Sequence, residues 1–278
     1  GASAWLLTSG NGKPSGIFAR WVQWDAVNFN VIAQFGYAGD GSRKAPYFEA
    51  FFPGFPLTLR PLVNLGVPVG LAGLLVSATA LAVAVVALRR LGDLEAGAGV
   101  GERAALLLML SPWAVFLMAG YSEALFLAFA IPAWLAAKRG HWWLACALAM
   151  GASATRVTGL FLALALIVQF ALYAKDRWTK WPALLLPFFP PLMYTVYQHQ
   201  RTGDWSVWLT AHKENWNRTF TLPWDAWETT WRGAYGGGQP TDFTWMWRAE
   251  LVAALLAVAV TAWLLWRERA AWRTQAGV

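Results

Sequence analysis

Seven apolar blocks, at residues 62–88, 104–119, 124–137, 142–155, 157–174, 182–197 and 251–266, are separated by charged or polar stretches, and this pattern restricts the fold more than any other feature. At about 1.5 Å of rise per residue, the first can cross a hydrocarbon core of about 30 Å as a helix. Several others are shorter than a usual span; they draw on flanking interfacial residues or form re-entrant pairs. Composition agrees: 58% of residues are hydrophobic and 13% charged, against about 25% charged in soluble domains. The expected fold is therefore all-α, a polytopic transmembrane helical bundle. The net charge of +7 does not indicate nucleic acid, because the cations sit beside apolar blocks, where they set orientation and meet anionic membrane lipids. The 20 Trp residues suit the membrane–water interface. The single cysteine, Cys146, cannot form an intrachain disulfide and leaves the redox compartment open. Gly1 to Leu7 is too short and lacks the basic start of a signal peptide; it reads as the tail of a helix.

The chain reads as one integral membrane domain over 1–278. A polar first region at 8–61, broken by Gly and Pro, reads as a structured loop with short helices. Transmembrane helices follow over 62–197, then a second polar, Trp-rich outer loop at 198–249, then a last transmembrane helix and cytoplasmic tail at 250–278. Trp24-Asp25-Ala26 recurs as Trp224-Asp225-Ala226, but the flanking residues differ and the repeat reads as coincidence.

Charge orients the chain. With Arg89-Arg90 in the cytoplasm and the spans alternating, Lys138-Arg139, the run Lys175 to Lys180, and Arg267-Glu268-Arg269 all fall on the same side. The opposite, outer side collects both polar regions, the Tyr121-Ser122-Glu123 turn, Thr155-Arg156 and most of the acidic residues. Chemistry is expected there.

Asp25 is the first candidate. It fits a helix N-cap, whose carboxylate accepts backbone N–H bonds, and it equally fits a catalytic base held at a helix start. Glu123 lies between two apolar runs, where a carboxylate is costly unless paired, solvated or functional. Its two readings are an interfacial helix-start carboxylate and a substrate-positioning group. Arg156 is a lone cation between apolar runs. Its planar fork suits either a phosphate or a structural ion pair to Glu123. Arg20, Arg43 and Lys44 are further first-region cations that could meet a lipid phosphate or be solvated. Three His residues without ligand spacing make a zinc site unexpected. No phosphate-binding glycine motif is present, so a nucleotide or nucleotide-sugar site is not indicated. Asn217-Arg218-Thr219 fits a glycosylation acceptor, while the Ala-rich composition points to a bacterial plasma membrane.

Five short motifs occur in order. They are Trp24-Asp25-Ala26 with Ile32-Ala33 and Gly36-Tyr37; Phe51-Phe52-Pro53 with Pro56-Leu57; Ser111-Pro112; Tyr121-Ser122-Glu123-Ala124-Leu125-Phe126; and Thr155-Arg156-Val157-Thr158-Gly159. Together they resemble the PIG-V type of mannosyltransferase, in the GT-C class of integral membrane glycosyltransferases. The resemblance covers residues 21–160; beyond 160 only the layout is similar. It implies an active site on the non-cytoplasmic face and a polyprenyl- or dolichyl-phosphate mannose donor. It also implies a lipid or glycan acceptor, and inversion at the anomeric carbon with Asp25 as general base. On that reading Arg156 or a first-region cation stabilises the leaving phosphate, Glu123, Tyr121 and Trp24 position substrate, and neither cofactor nor metal is required. Two departures stand out: only a helix fragment precedes the Trp-Asp-Ala motif, and the family's later helices and Arg-Tyr motif do not follow. The chain is thus expected to be either incomplete or a shortened relative. The alternatives from other classes are a lipid-linked sugar transporter or flippase, and an inactive scaffold.

Overall fold

The computed structural model describes residues 21–111, 113–174, 177–219, 221–237 and 244–275. These residues form helices and connections, with no strand among them, as expected for an all-α membrane protein. The chain divides into two compact units, Gly1–Asn217 and Arg218–Val278.

In the first unit, the described part of the first polar region builds two helices. They are α1 (Asp25–Phe35) and α2 (Gly54–Asn64), joined through single 3-10 turns at Gly36–Ala38 and Phe48–Ala50. The long helix α3 (Val69–Ala96) follows. Its Ala, Leu and Val residues continue without an internal proline. Pro68 fixes its entry at φ −53°, and Gly97 ends it at φ +96°, a conformation that costs glycine little. Then come α4 (Val100–Leu110), α5 (Ser122–Lys138), α6 (Trp142–Thr155) and α7 (Gly159–Tyr173).

Contacts along α3 fix the direction of its neighbours. At one end Gly101 of α4 packs against Arg89, so closely that a Cβ on it would lie 1.8 Å from the Arg89 carbonyl oxygen, and its N–H donates to Asp93 Oδ1 at 3.0 Å. At the other end Gly73 meets Gly120, and Ser77 Oγ donates to the Ala119 carbonyl at 2.6 Å. Residues 101–120 therefore run antiparallel to α3 over about 30 Å, at about 1.5 Å per residue of α3. This is the apolar block 104–119. It is not one helix: α4 stops at Ser111, which is extended (ψ 148°) ahead of Pro112 in the sequence, and one turn re-forms at Val115–Met118. The residue before a proline is pushed out of the helical region, which accounts for the break.

Helix α5 returns alongside α3 and ends where Lys138 Nζ meets Glu95 Oε1 at 2.9 Å. Helix α6 comes back, packing Gly151 beneath the Phe129 ring of α5, and α7 descends until Phe170 meets Trp142 edge-on at 4.9 Å. Among the described residues, α3 and Thr244–Arg267 are by themselves long and apolar enough to cross a bilayer. The outer surface of this bundle is apolar, with Leu107 71%, Leu110 78% and Phe161 72% exposed. That suits hydrocarbon, and backbone groups there are satisfied within helices.

The proline-rich block 182–197 also divides. Trp181–Phe188 is a 3-10 helix and α8 (Phe189–Thr202) continues from it; prolines lack the N–H that a single α-helix would need. Most of the second polar region is helical rather than loop: α9 (Val207–Trp216) closes the first unit, and α10 (Pro223–Tyr235) begins the second. In the second unit α10 packs on α11 (Thr244–Gln275), with Gly233 under the Trp247 ring and the Arg248 guanidinium 5.2 Å from the Tyr235 ring centre.

Candidate active site

One end of the α3–α7 bundle carries Arg89, Arg90, Asp93, Glu95, Lys138 and Arg139. The other end is capped by the first polar region, and its main support is an aromatic core. Phe29 of α1 meets Phe51 and Phe55 edge-on at 5.3 and 5.1 Å, and Phe55 and Leu59 of α2 are fully buried. The start of α2 sits directly on the end of α6: a Cβ on Gly54 would lie 2.7 Å from the Ala154 and Thr155 backbone. Only glycine permits that approach.

This packing brings Asp25 and Arg156, from distant parts of the sequence, to the turn that carries Tyr121 and Glu123. Asp25 is half-buried and is the first residue of α1. It is not the N-cap; Trp24 holds that position, with no side-chain capping bond. Trp24 has φ 47° and ψ −120°, a conformation sterically disfavoured for a residue with a bulky side chain. Its indole is 59% exposed, its ring centre 6.5 Å from that of Phe116.

Tyr121 is buried and its phenol donates to the Gln23 carbonyl at 2.9 Å, tying the strand of chain before Asp25 to the start of α5. Burial, and then the charges of Asp25 and Glu123, push that phenol above its ordinary range, so Tyr121 lies within the field of both carboxylates. One turn away, Arg156 Nη1 donates to Glu123 Oε1 at 2.6 Å and to Ser122 Oγ at 2.9 Å. The ion pair raised as one reading of Arg156 is therefore present. It uses one Glu123 oxygen; Oε2 is buried and accepts no hydrogen bond among the described residues. A carboxylate so placed can accept a hydroxyl, and the guanidinium fork retains donors for an anion.

The remaining cations are dispersed. Arg43 is exposed and covers the Tyr47 ring at 4.9 Å, and Lys44 is exposed. Arg20 lies outside the described residues. Among the described residues no three His, Cys, Asp or Glu side chains gather as metal ligands would.

Two features were not singled out in the sequence. Glu49 is only 2% exposed: its Oε2 accepts the Tyr47 N–H at 2.9 Å, its Oε1 lies 3.5 Å from Arg201 Nη1, and its carbonyl accepts the Tyr194 phenol at 2.6 Å. This pins the first region to α8. Nothing in local spacing marks its link to α8, because Tyr194 and Arg201 lie about 150 residues away. The second is a cavity of about 560 Å³ beneath α1 and α2, bounded by α6 and α8.

Fold and site together define an all-helical membrane protein with a carboxylate- and arginine-bearing cap at one end of its bundle. The chain belongs to the PIG-V mannosyltransferase family, whose model matches residues 11–179, more than half of it, including Asp25, Tyr121, Glu123 and Arg156. It is 37% identical over 168 residues to the GPI alpha-1,6-mannosyltransferase 2 of Rattus norvegicus, covering 56% of this chain and 32% of that protein. It is 35% identical over 158 residues to the protein of that name from Homo sapiens, covering 52% of this chain and 30% of that one. The chain thus spans about a third of the length of the curated relatives it matches. These relatives are mammalian and lend no support to the bacterial source expected from composition. No solved structure matches the chain significantly.

Proposed function

We propose that this chain carries the catalytic end of an inverting mannosyltransferase that uses a polyprenyl-phosphate-linked donor on the non-cytoplasmic side of the membrane. Asp25 takes the proton of the acceptor hydroxyl as that oxygen attacks the anomeric carbon. The bond from that carbon to the phosphate oxygen breaks on the opposite face, so configuration inverts and the lipid leaves as its phosphate. Arg156, or a cation of the first region, offsets the charge that builds on the leaving oxygen. Glu123 holds Arg156 through Oε1 and offers Oε2 to a sugar hydroxyl. Tyr121 keeps Gln23, and with it the turn before Asp25, against the start of α5. The leaving group is already an anion when bound and needs no nucleotide pocket, so the reaction is proposed to run without a metal.

The observation that carries this reading is the meeting of Asp25, Tyr121, Glu123 and Arg156 at the bundle end opposite the Arg89, Arg90, Lys138 and Arg139 cluster, within the family-matched segment. The positive-inside rule assigns that basic end to the cytoplasm and so the site to the far side. The acceptor is proposed to be a lipid or glycan hydroxyl, as the relatives' names suggest for those proteins. The test is a membrane assay with radiolabelled polyprenyl-phosphate mannose, run with the parent chain and with Asp25→Asn. Transfer by the parent alone is the expected result. Movement of donor across the membrane without transfer would instead identify a flippase, and neither activity would identify a scaffold.

A further inference from the structure

The geometry points to the cavity beneath α1 and α2 as the seat of the donor's hydrocarbon chain, with Arg60 at its wall as the cation that meets the lipid phosphate. This rests on the donor class proposed above and adds where it binds. The cavity's volume of about 560 Å³ falls within the roughly 300–1,000 Å³ of ligand pockets. Its walls are mostly apolar, including Ile32 of α1, Ala154 of α6 and Met193 of α8, and tyrosines 37 and 197 stand at its edge. Arg60 lines it too. This side chain is exposed and makes no ion pair, hydrogen bond or ring contact among the described residues. The other described cations near the site are differently placed: Arg156 is held by Glu123 and Ser122, Arg201 by Glu49 and Gln198, and Arg43 lies over Tyr47. A guanidinium beside an apolar cavity complements a hydrocarbon chain that ends in an anion, and the anion that the proposed donor carries is a phosphate.

A further placement favours a polyprenyl phosphate over a phospholipid. The cavity touches both elements that carry the site: Ile32 is two turns, about 10 Å, beyond Asp25 on α1, and Ala154 is two residues before Arg156.

The test uses the full chain in detergent micelles and a polyprenyl phosphate, without sugar, that carries a photoreactive group in its first isoprene units. Cross-linking is expected at residues of α1, α6 and α8. Arg60→Gln is expected to weaken binding roughly tenfold, the scale of one charge-assisted contact, with partial recovery in Arg60→Lys. Met193→Trp, which fills the cavity, should also abolish labelling, and circular dichroism checks that each variant remains helical. Excess phosphatidylglycerol should not compete. Unchanged binding in Arg60→Gln, or full displacement by phosphatidylglycerol, overturns the assignment. Because no sugar is transferred, the two readings fail separately: binding without turnover in the mannose assay would remove the transferase reading and leave the site, whereas turnover with Arg60-independent binding would do the reverse.

Discussion

The chemistry proposed for Asp25 depends on a carboxylate held in the first turn of α1, one residue past its N-cap. Asp25→Asn keeps the shape and removes the base. Mannose transfer is expected to fall roughly 10²–10⁴-fold, the usual share of general base catalysis, with the melting temperature unchanged. Near-normal turnover in that variant would move the base elsewhere, with Glu123 and Asp225 the next carboxylates to test. Arg156 and Glu123 are each more than a third exposed, so their pair adds about 0–1 kcal/mol to stability. Its value is expected in turnover instead: Arg156→Met should lower kcat roughly a hundredfold, as loss of a charge-stabilising donor does, and Glu123→Gln should mainly raise KM. Equal and purely structural losses in both variants would argue against those roles. Removing divalent metals with EDTA should leave turnover intact, and loss restored by Mg²⁺ or Mn²⁺ would disprove the metal-free mechanism.

The helices show how local sequence and close contact divide the work. The proline at 112 ends α4 by its effect on Ser111, an effect readable in the sequence. The requirement for glycine at 54 is not readable there, because the backbone it must clear belongs to α6, a hundred residues on. Gly54→Ala places a methyl 2.7 Å from the Ala154 and Thr155 backbone. Backbone cannot rotate away as a side chain can, so about 1–3 kcal/mol of stability should be lost, visible as earlier unfolding in detergent. Tyr121→Phe removes the tether to Gln23 and should cost about 0.5–1.5 kcal/mol, with a larger effect on turnover than on melting because the turn before Asp25 loosens. A loss of stability with full turnover would make that tether merely structural.

Across the molecule, the proposed orientation places the Asp25 cap outside and the Lys138 end inside. In a Cys146→Ser background, Asp40→Cys should react with a membrane-impermeant maleimide on intact cells, and Arg139→Cys only after permeabilisation. The reverse pattern would put the site on the cytoplasmic face and end the reading built on it.

The apolar blocks alone sufficed for an all-α membrane fold, since a backbone in hydrocarbon must bond within its own helix, and the ordered short motifs sufficed for the family. The same motifs nominated Asp25, Glu123 and Arg156, because a charge beside a long apolar run stands out against its neighbours. What depended on folding was everything that joins distant segments. The Glu123–Arg156 pair, the Tyr121 tether, the buried Glu49 held by Arg201, and the cavity beside Arg60 each need residues from helices that meet only after the bundle closes. Hydropathy is a property of one segment at a time, whereas a cavity or an ion pair belongs to the space between segments, and that space exists only in three dimensions.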